Sequence, residues 1–108
     1  MGIDMVGTNT DETCANYLKA LGDPIRLGIV KGLQMGPLTV SDLAELLELD
    51  IQKVSHHIRI LFHSNLLTLK KEGKFRYYQL NEIFVKNRQS NKSIDLGCCT
   101  IGLRADSR

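Results

Sequence analysis

A chain of 108 residues with 43% hydrophobic and 24% charged side chains has the make-up of one small domain, with material for a single modest core and none for a second. Its net charge is only +2, but residues 1–50 carry three Lys/Arg against eight Asp/Glu and residues 51–92 carry nine against two, so a basic field that would attract a polyanion lies in the second half. No apolar run nears the ~20 residues that span a bilayer and no charged-then-apolar leader opens the chain, so a cytoplasmic protein is expected, with its three cysteines reduced and available as ligands or redox groups.

Residues 1–10 mix Gly, Thr, Asn and Asp without periodicity and read as a flexible arm. A first helix is predicted over residues 11–21, with Ala15, Leu18 and Leu21 or neighbouring apolar positions inward and Gly22 as its stop. Asp23 before Pro24 starts a second helix, because Asp caps an N-terminus and Pro at the first helical position gives up no hydrogen bond. That helix runs to Leu33, where Gly36 and Pro37 open a connection. Thr39 with Asp42 three residues on has the pattern of a capping box for a third helix over residues 40–47, its core side made by Leu43, Leu46 and Leu47.

A turn over residues 48–50 leads into the most informative stretch, residues 50–65. Asp50 is suited to cap it and Asn65 to the left-handed turn at its end. Ile51, Val54, Ile58 and Leu61 recur at helical spacing as a buried stripe. Gln52, Ser55, His56, Arg59 and His63 form a second stripe whose amide, hydroxyl, imidazole and guanidinium groups suit phosphates and base edges, with Lys53 beside them. Two helices joined by so short a turn make a helix-turn-helix. A polar stripe is also the ordinary outer face of an amphipathic helix, so DNA reading and a plain solvated face both remain open at this point.

After Asn65 the period changes. Residues 66–71 and 74–80, separated by Glu72 and Gly73, read as a β-hairpin carrying Lys70, Lys71, Lys74 and Arg76. The expected fold is therefore α+β and mainly α: a winged helix-turn-helix over residues 11–80 with a two-stranded hairpin as its wing. The wing cations can straddle a neighbouring groove or phosphate run, although edge hairpins also carry Lys merely to stay soluble. In the tail, residues 81–108, Asn81 can cap a short helix over residues 82–88, and residues 94–103 alternate in the manner of a strand.

Four segments also match a known family in order: Leu21-Gly-Asp-Pro-Ile-Arg-Leu27, Leu38-Thr-Val-Ser-Asp-Leu-Ala44, Val54-Ser-His-His-Ile-Arg-Ile-Leu61 and Lys71-Glu-Gly-Lys-Phe-Arg-Tyr-Tyr-Gln-Leu80. Over residues 12–80 the chain resembles the ArsR/SmtB family, small dimeric winged-helix repressors that leave operator DNA on binding a metal, metalloid or other inducer. The resemblance implies that Ser55, His56 and Arg59 approach the major groove and that Lys74 and Arg76 sit on the wing. Ile51 departs from the pattern, since many members resemble Ser-Gln-Pro or Ser-Gln-Ala there, and this puts one base contact in doubt.

The inducer sites that the resemblance would bring are absent. Where arsenic- and cadmium-type members resemble Cys-Val-Cys, this chain has Thr39, Val40 and Ser41, and it has no histidine after the wing for a zinc-type site. Cys14 on the first helix and the adjacent Cys98 and Cys99 remain. In family members those two segments meet at the dimer interface, so three thiolates could gather into a shell for As(III), Cd(II) or another thiophilic ion. The same sulfurs could instead form a redox pair, joining Cys14 to one of the other two because a vicinal disulfide is strained, or simply pack as small hydrophobes in an inducer-independent regulator.

The histidines make no metal site by themselves. His56 and His57 point about 100° apart on a helix, and His63 lies two turns away. His57 falls beside the apolar stripe and is expected to be partly buried with a hydrogen-bonded ring. No nucleophile–base–acid ordering, paired-carboxylate motif or phosphate loop appears, so an enzyme is not expected. The remaining alternative, a small oligomerisation or protein-interaction module, would want an apolar surface on the fourth helix, which the sequence does not supply.

Overall fold

In a computed structural model of the chain, residues 9–85 and 93–103 are described. The arm expected over residues 1–10 lies outside them apart from Asn9 and Thr10, which are already helical, and the tail helix expected toward residue 88 lies outside them beyond Val85. The elements are α1 (Asn9–Leu21), α2 (Pro24–Leu33), α3 (Val40–Leu47), α4 (Ile51–His63), β1 (Leu67–Glu72), β2 (Phe75–Leu80), a 3-10 turn (Glu82–Phe84), β3 (Ser93–Asp95) and β4 (Thr100–Gly102).

Short-range polar chemistry sets the helix boundaries. Asp23 accepts hydrogen bonds from the backbone N–H groups of Ile25 (2.8 Å) and Arg26 (3.2 Å), starting α2 at Pro24. Thr39 and Asp42 form a complete capping box on α3, each side chain accepting from the other residue's backbone N–H. Glu48 closes α3 in the left-handed conformation (φ 57°) and Asn65 follows α4 in the same region (φ 68°). Asn tolerates that region, whereas Glu does so at a cost.

Apolar faces from α1–α4, the root of the hairpin and the tail meet in one core, in which Ile29, Val30, Leu43, Val54 and Leu61 are fully enclosed. Three leucine or isoleucine positions expected inside lie at its edge instead. Leu18 is 44% exposed on α1, Leu46 54% on α3 and Ile51 47% on α4. Ala15 is also exposed, and Cys14, Ala20 and Leu21 make the buried face of α1. Helical spacing finds a stripe but not its rotation: on α1 the buried face is turned by about one residue, bringing in Cys14 and Ala20, whereas on α4 Val54, Ile58 and Leu61 are buried as expected.

β1 and β2 pair antiparallel with Leu67 opposite Leu80 and Glu72 opposite Phe75, leaving Gly73 and Lys74 as a two-residue loop. Gly73 takes φ 62°, the left-handed value that such a loop requires at its first position. Leu38 adds a short bridge on the outer side of β2, exchanging both backbone hydrogen bonds with Tyr78 (3.0 and 2.8 Å). The tail differs from the single strand that its alternation suggests: β3 and β4 fold back on each other, with Ser93 opposite Gly102 and Asp95 opposite Thr100. The turn is made by Asp95, which accepts from the N–H of Gly97 (2.9 Å), and by Gly97 at φ 95°. Ile94, Leu96 and Leu103 carry this hairpin into the core.

Candidate nucleic-acid interface and thiol cluster

α4 is anchored on one side and open on the other. Val54, Ile58 and Leu61 are buried, whereas Gln52, Lys53, His56, Arg59 and His63 are exposed and Ser55 is half-buried. Asp50 accepts from the N–H groups of Gln52 (3.0 Å) and Lys53 (3.4 Å), so the helix begins in a defined register. Neither Lys53 nor Arg59 has an ion-pair partner among the described residues. The open face thus offers unspent donors of the kinds that read phosphates and base edges.

A second anchor, which sequence reasoning did not single out, is Arg26. Its Nε donates to the Ala20 carbonyl at the end of α1 (2.6 Å), and a terminal guanidinium nitrogen donates to Nδ1 of His57 on α4 (2.9 Å). Because arginine can only donate, Nδ1 of His57 must accept, which makes the ring neutral with its proton on Nε2. The Asp23 carboxylate lies 3.9 Å from the same Nδ1. Burial lowers the His57 pKa; Asp23 opposes this, while Arg26, His56 and Lys53 add to it. Burial by itself would raise the Asp23 carboxyl, but hydrogen bonds from the Arg26 and Ile25 N–H groups and the charge of the Arg26 guanidinium hold it below its ordinary value. The available signal was the Asp23-Pro24 cap with an arginine one turn along; the partner on α4 is 31 positions away and leaves no local trace.

On the wing, Lys70, Lys71, Lys74 and Arg76 are all exposed. Lys70 pairs with Glu72 (3.3 Å), but Lys71 stands directly across the ladder from Arg76. Like charges facing each other weaken a hairpin, and an anion between them removes that repulsion. Wing and α4 are successive elements, joined only through Ser64, Asn65 and Leu66.

The three cysteines, far apart in sequence, converge. The sulfurs of Cys14, Cys98 and Cys99 all lie within 4.8 Å of one another in a single chain. Cys14 and Cys98 are joined as a disulfide, with Cα atoms 6.3 Å apart, and Cys99 is a free, exposed thiol whose sulfur lies 3.6 Å from that of Cys98. Cys14 is buried on α1, while Cys98 and Cys99 occupy the turn between β3 and β4. That turn is what puts neighbouring side chains on the same side; along an extended strand they would point apart. Metal–thiolate bonds of ~2.3 Å put two sulfurs of one ion roughly 3.5–4 Å apart, so to close on an ion the Cys14 and Cys98 sulfurs would have to separate after their bridge is reduced, whereas Cys99 already lies within about 1 Å of that spacing from both.

A helix-turn-helix domain model matches residues 21–70, which hold α2, α3, α4 and the start of the wing. The arsenical resistance operon repressor of Staphylococcus xylosus is 35% identical over 95 residues, an alignment covering 84% of this chain and 91% of that protein. The chain belongs to the ArsR/SmtB family. Among solved structures, HlyU from Vibrio cholerae is similar at TM-score 0.66 and 28% identity, over 69% of this chain and 82% of that one. The homodimeric winged helix-turn-helix domain of Mb0332 from Mycobacterium bovis shares the fold at TM-score 0.62 and 22% identity, over 72% and 76% of the two chains. As a member of the ArsR/SmtB family the protein is a DNA-binding transcriptional regulator and not an enzyme. Among the described residues no helix is long and apolar enough to cross a membrane.

Proposed function

We propose that the protein is a cytoplasmic, homodimeric repressor that leaves its operator when Cys14, Cys98 and Cys99, reduced, take up a thiophilic ion such as As(III) or Cd(II). The observation that carries the sensing half is the gathering of three sulfurs within 4.8 Å between a helix of the DNA-binding domain and the tail. Soft thiolates select soft ions, and a cluster of three sulfurs, with no nitrogen or carboxylate ligand beside them among the described residues, favours As(III) or Cd(II) over harder ions. The similar Staphylococcus xylosus protein is named for arsenical resistance, which is consistent with that choice. On the DNA side, Gln52, Lys53, Ser55, His56 and Arg59 are the major-groove and flanking phosphate contacts, and Lys70, Lys71, Lys74 and Arg76 are the wing contacts. Residues 11–80 bind DNA, and residues 81–108 supply the sensor and part of the dimer contact.

A physical route from sensor to reader is available. Cys14 lies on α1, the end of α1 is tied through Ala20 to Arg26, and Arg26 holds His57 on α4. An ion that draws α1 toward the tail would therefore act on the angle of α4 and on the spacing of the two recognition helices in a dimer.

The Cys14–Cys98 bridge favours a second reading, a thiol redox switch. Two thiols would lose two electrons and two protons as the S–S bond forms, with a peroxide reduced to water or alcohol as the acceptor. Gel shifts of the full chain on its own upstream DNA, with As(III), Cd(II), Zn(II) or peroxide added in turn, separate the readings. Release by As(III) or Cd(II) under reducing conditions supports the ion sensor. Release by peroxide alone supports the switch, and no release by any of them leaves an inducer-independent regulator.

A further inference from the structure

The inner half of the wing closes the core, with Leu67 buried and Tyr78 and Leu80 packed against it. The outer half does not. Residues 70–76 are exposed without a break, on both faces of the ribbon. Within that stretch every side chain is charged except Gly73, which has none, and Phe75: beside the Gly73-Lys74 loop, its large apolar ring is 55% exposed. It lies on the face that also carries Lys70, Glu72 and Tyr77, since Glu72 is its direct partner and Lys70 is opposite Tyr77. The ring of Tyr77 lies behind it, with centroids 6.3 Å apart. The Glu72 carboxylate on that face is neutralised by Lys70 at 3.3 Å, so nothing there repels a polyanion.

Lysine and arginine at a ribbon tip need only phosphates, and for them a polar or small residue at position 75 would serve better than a ring left in water. A large apolar side chain flanked by Lys74 and Arg76 matches instead the way proteins open a minor groove: cations hold the two phosphate rims while an apolar wedge enters between base pairs and partly unstacks them. We infer that Phe75 is such a wedge, and that the operator must carry an easily unstacked step, pyrimidine followed by purine, beneath each wing. Such steps kink at low cost, whereas a stiff A-tract resists. The protein thereby reads deformability at base pairs that α4 does not touch. This inference rests on the wing docking proposed above, and Lys74 reports on that docking separately.

The test uses the full chain and a duplex selected by it from a randomised pool, with 2-aminopurine placed in turn at each position of the flanks. Unstacking under the wing raises the fluorescence of the base analogue at one step per half-site when the native protein binds. Phe75→Ala should abolish that rise and weaken binding roughly 10-fold without changing the salt dependence, because no phosphate contact is lost. Phe75→Leu, still an apolar wedge, should restore most of both. Lys74→Ala should keep the fluorescence rise and lower the salt slope by about one. Binding by the native protein with no fluorescence rise at any flank position overturns the wedge while leaving the docking intact. An unchanged salt slope for Lys74→Ala would overturn the docking itself. Phe75→Ala with native affinity, or with its loss confined to the salt slope, would show that Phe75 only supports its charged neighbours, and would also overturn the inference.

Discussion

Arg26 holds acceptors on two different helices, the carbonyl of Ala20 on α1 and the imidazole of His57 on α4, and so ties α1 and α2 to the helix proposed to read DNA. The imidazole must be neutral to accept, and its lowered pKa has a consequence for stability. In the unfolded chain His57 binds a proton near pH 6.5, whereas in the folded chain it does so only at lower pH, so its contribution is complete above about pH 6.5 and is lost as the pH falls below that value. The lowered Asp23 carboxyl acts in the same direction in a separate window, below about pH 4. Urea midpoints should therefore fall between pH 7.5 and 5.5 in the native protein and fall less in His57→Gln, whose amide oxygen can still accept from Arg26. Parallel curves would show that His57 is not the titrating group. On the open face of α4 the expected outcomes are different in kind. His56→Ala and Arg59→Ala should each cost about 1–3 kcal/mol of specific binding and relax the preference at one base pair, in a titration at fixed salt against native and single-substitution duplexes. Equal losses on all duplexes would make them phosphate contacts.

At the scale of elements, the boundaries were legible because they rest on local chemistry. Asp23, Thr39 and Asp50 each cap from one turn away or less, and Asn65 closes α4 by its own tolerance of a positive φ. Periodicity placed the buried stripe of α4, but not the full inner face of α1 or α3, which is decided by contacts across helices. Gly32 shows why: a Cβ there would lie 3.0 Å from the Leu46 side chain and 3.3 Å from that of Leu43, so α3 approaches α2 over a missing side chain and its stripe is turned accordingly. Gly32→Leu should destabilise the fold by about 1–3 kcal/mol through overpacking against the buried Leu43, read as a lower denaturation midpoint. An unchanged midpoint would mean that α3 can shift freely. Alternation alone predicts one strand for the tail because it persists through a tight turn, whereas Asp95 and Gly97 break it into two. The difference bears on function, since the turn brings Cys98 and Cys99 close together.

At the scale of the molecule, the cysteine cluster joins the first helix of the DNA-binding domain to the tail within one chain. The sequence could name the three residues but not their distance, because 84 positions separate Cys14 from Cys98. A typical allosteric coupling of about 1–3 kcal/mol between that cluster and the DNA face would change operator affinity by roughly 5- to 150-fold, enough for a working switch. The same coupling acts in reverse, so saturating operator duplex should weaken Cd(II) binding, followed by thiolate-to-metal absorption, by the same factor. The central claim is tested most directly by fluorescence anisotropy of a labelled operator duplex with the reduced native protein and with the Cys14→Ser, Cys98→Ser, Cys99→Ser triple variant. Both proteins should bind the duplex alike, and As(III) or Cd(II) should release the native protein and leave the variant bound. Release of the triple variant by the same ion at the same concentration would contradict the account.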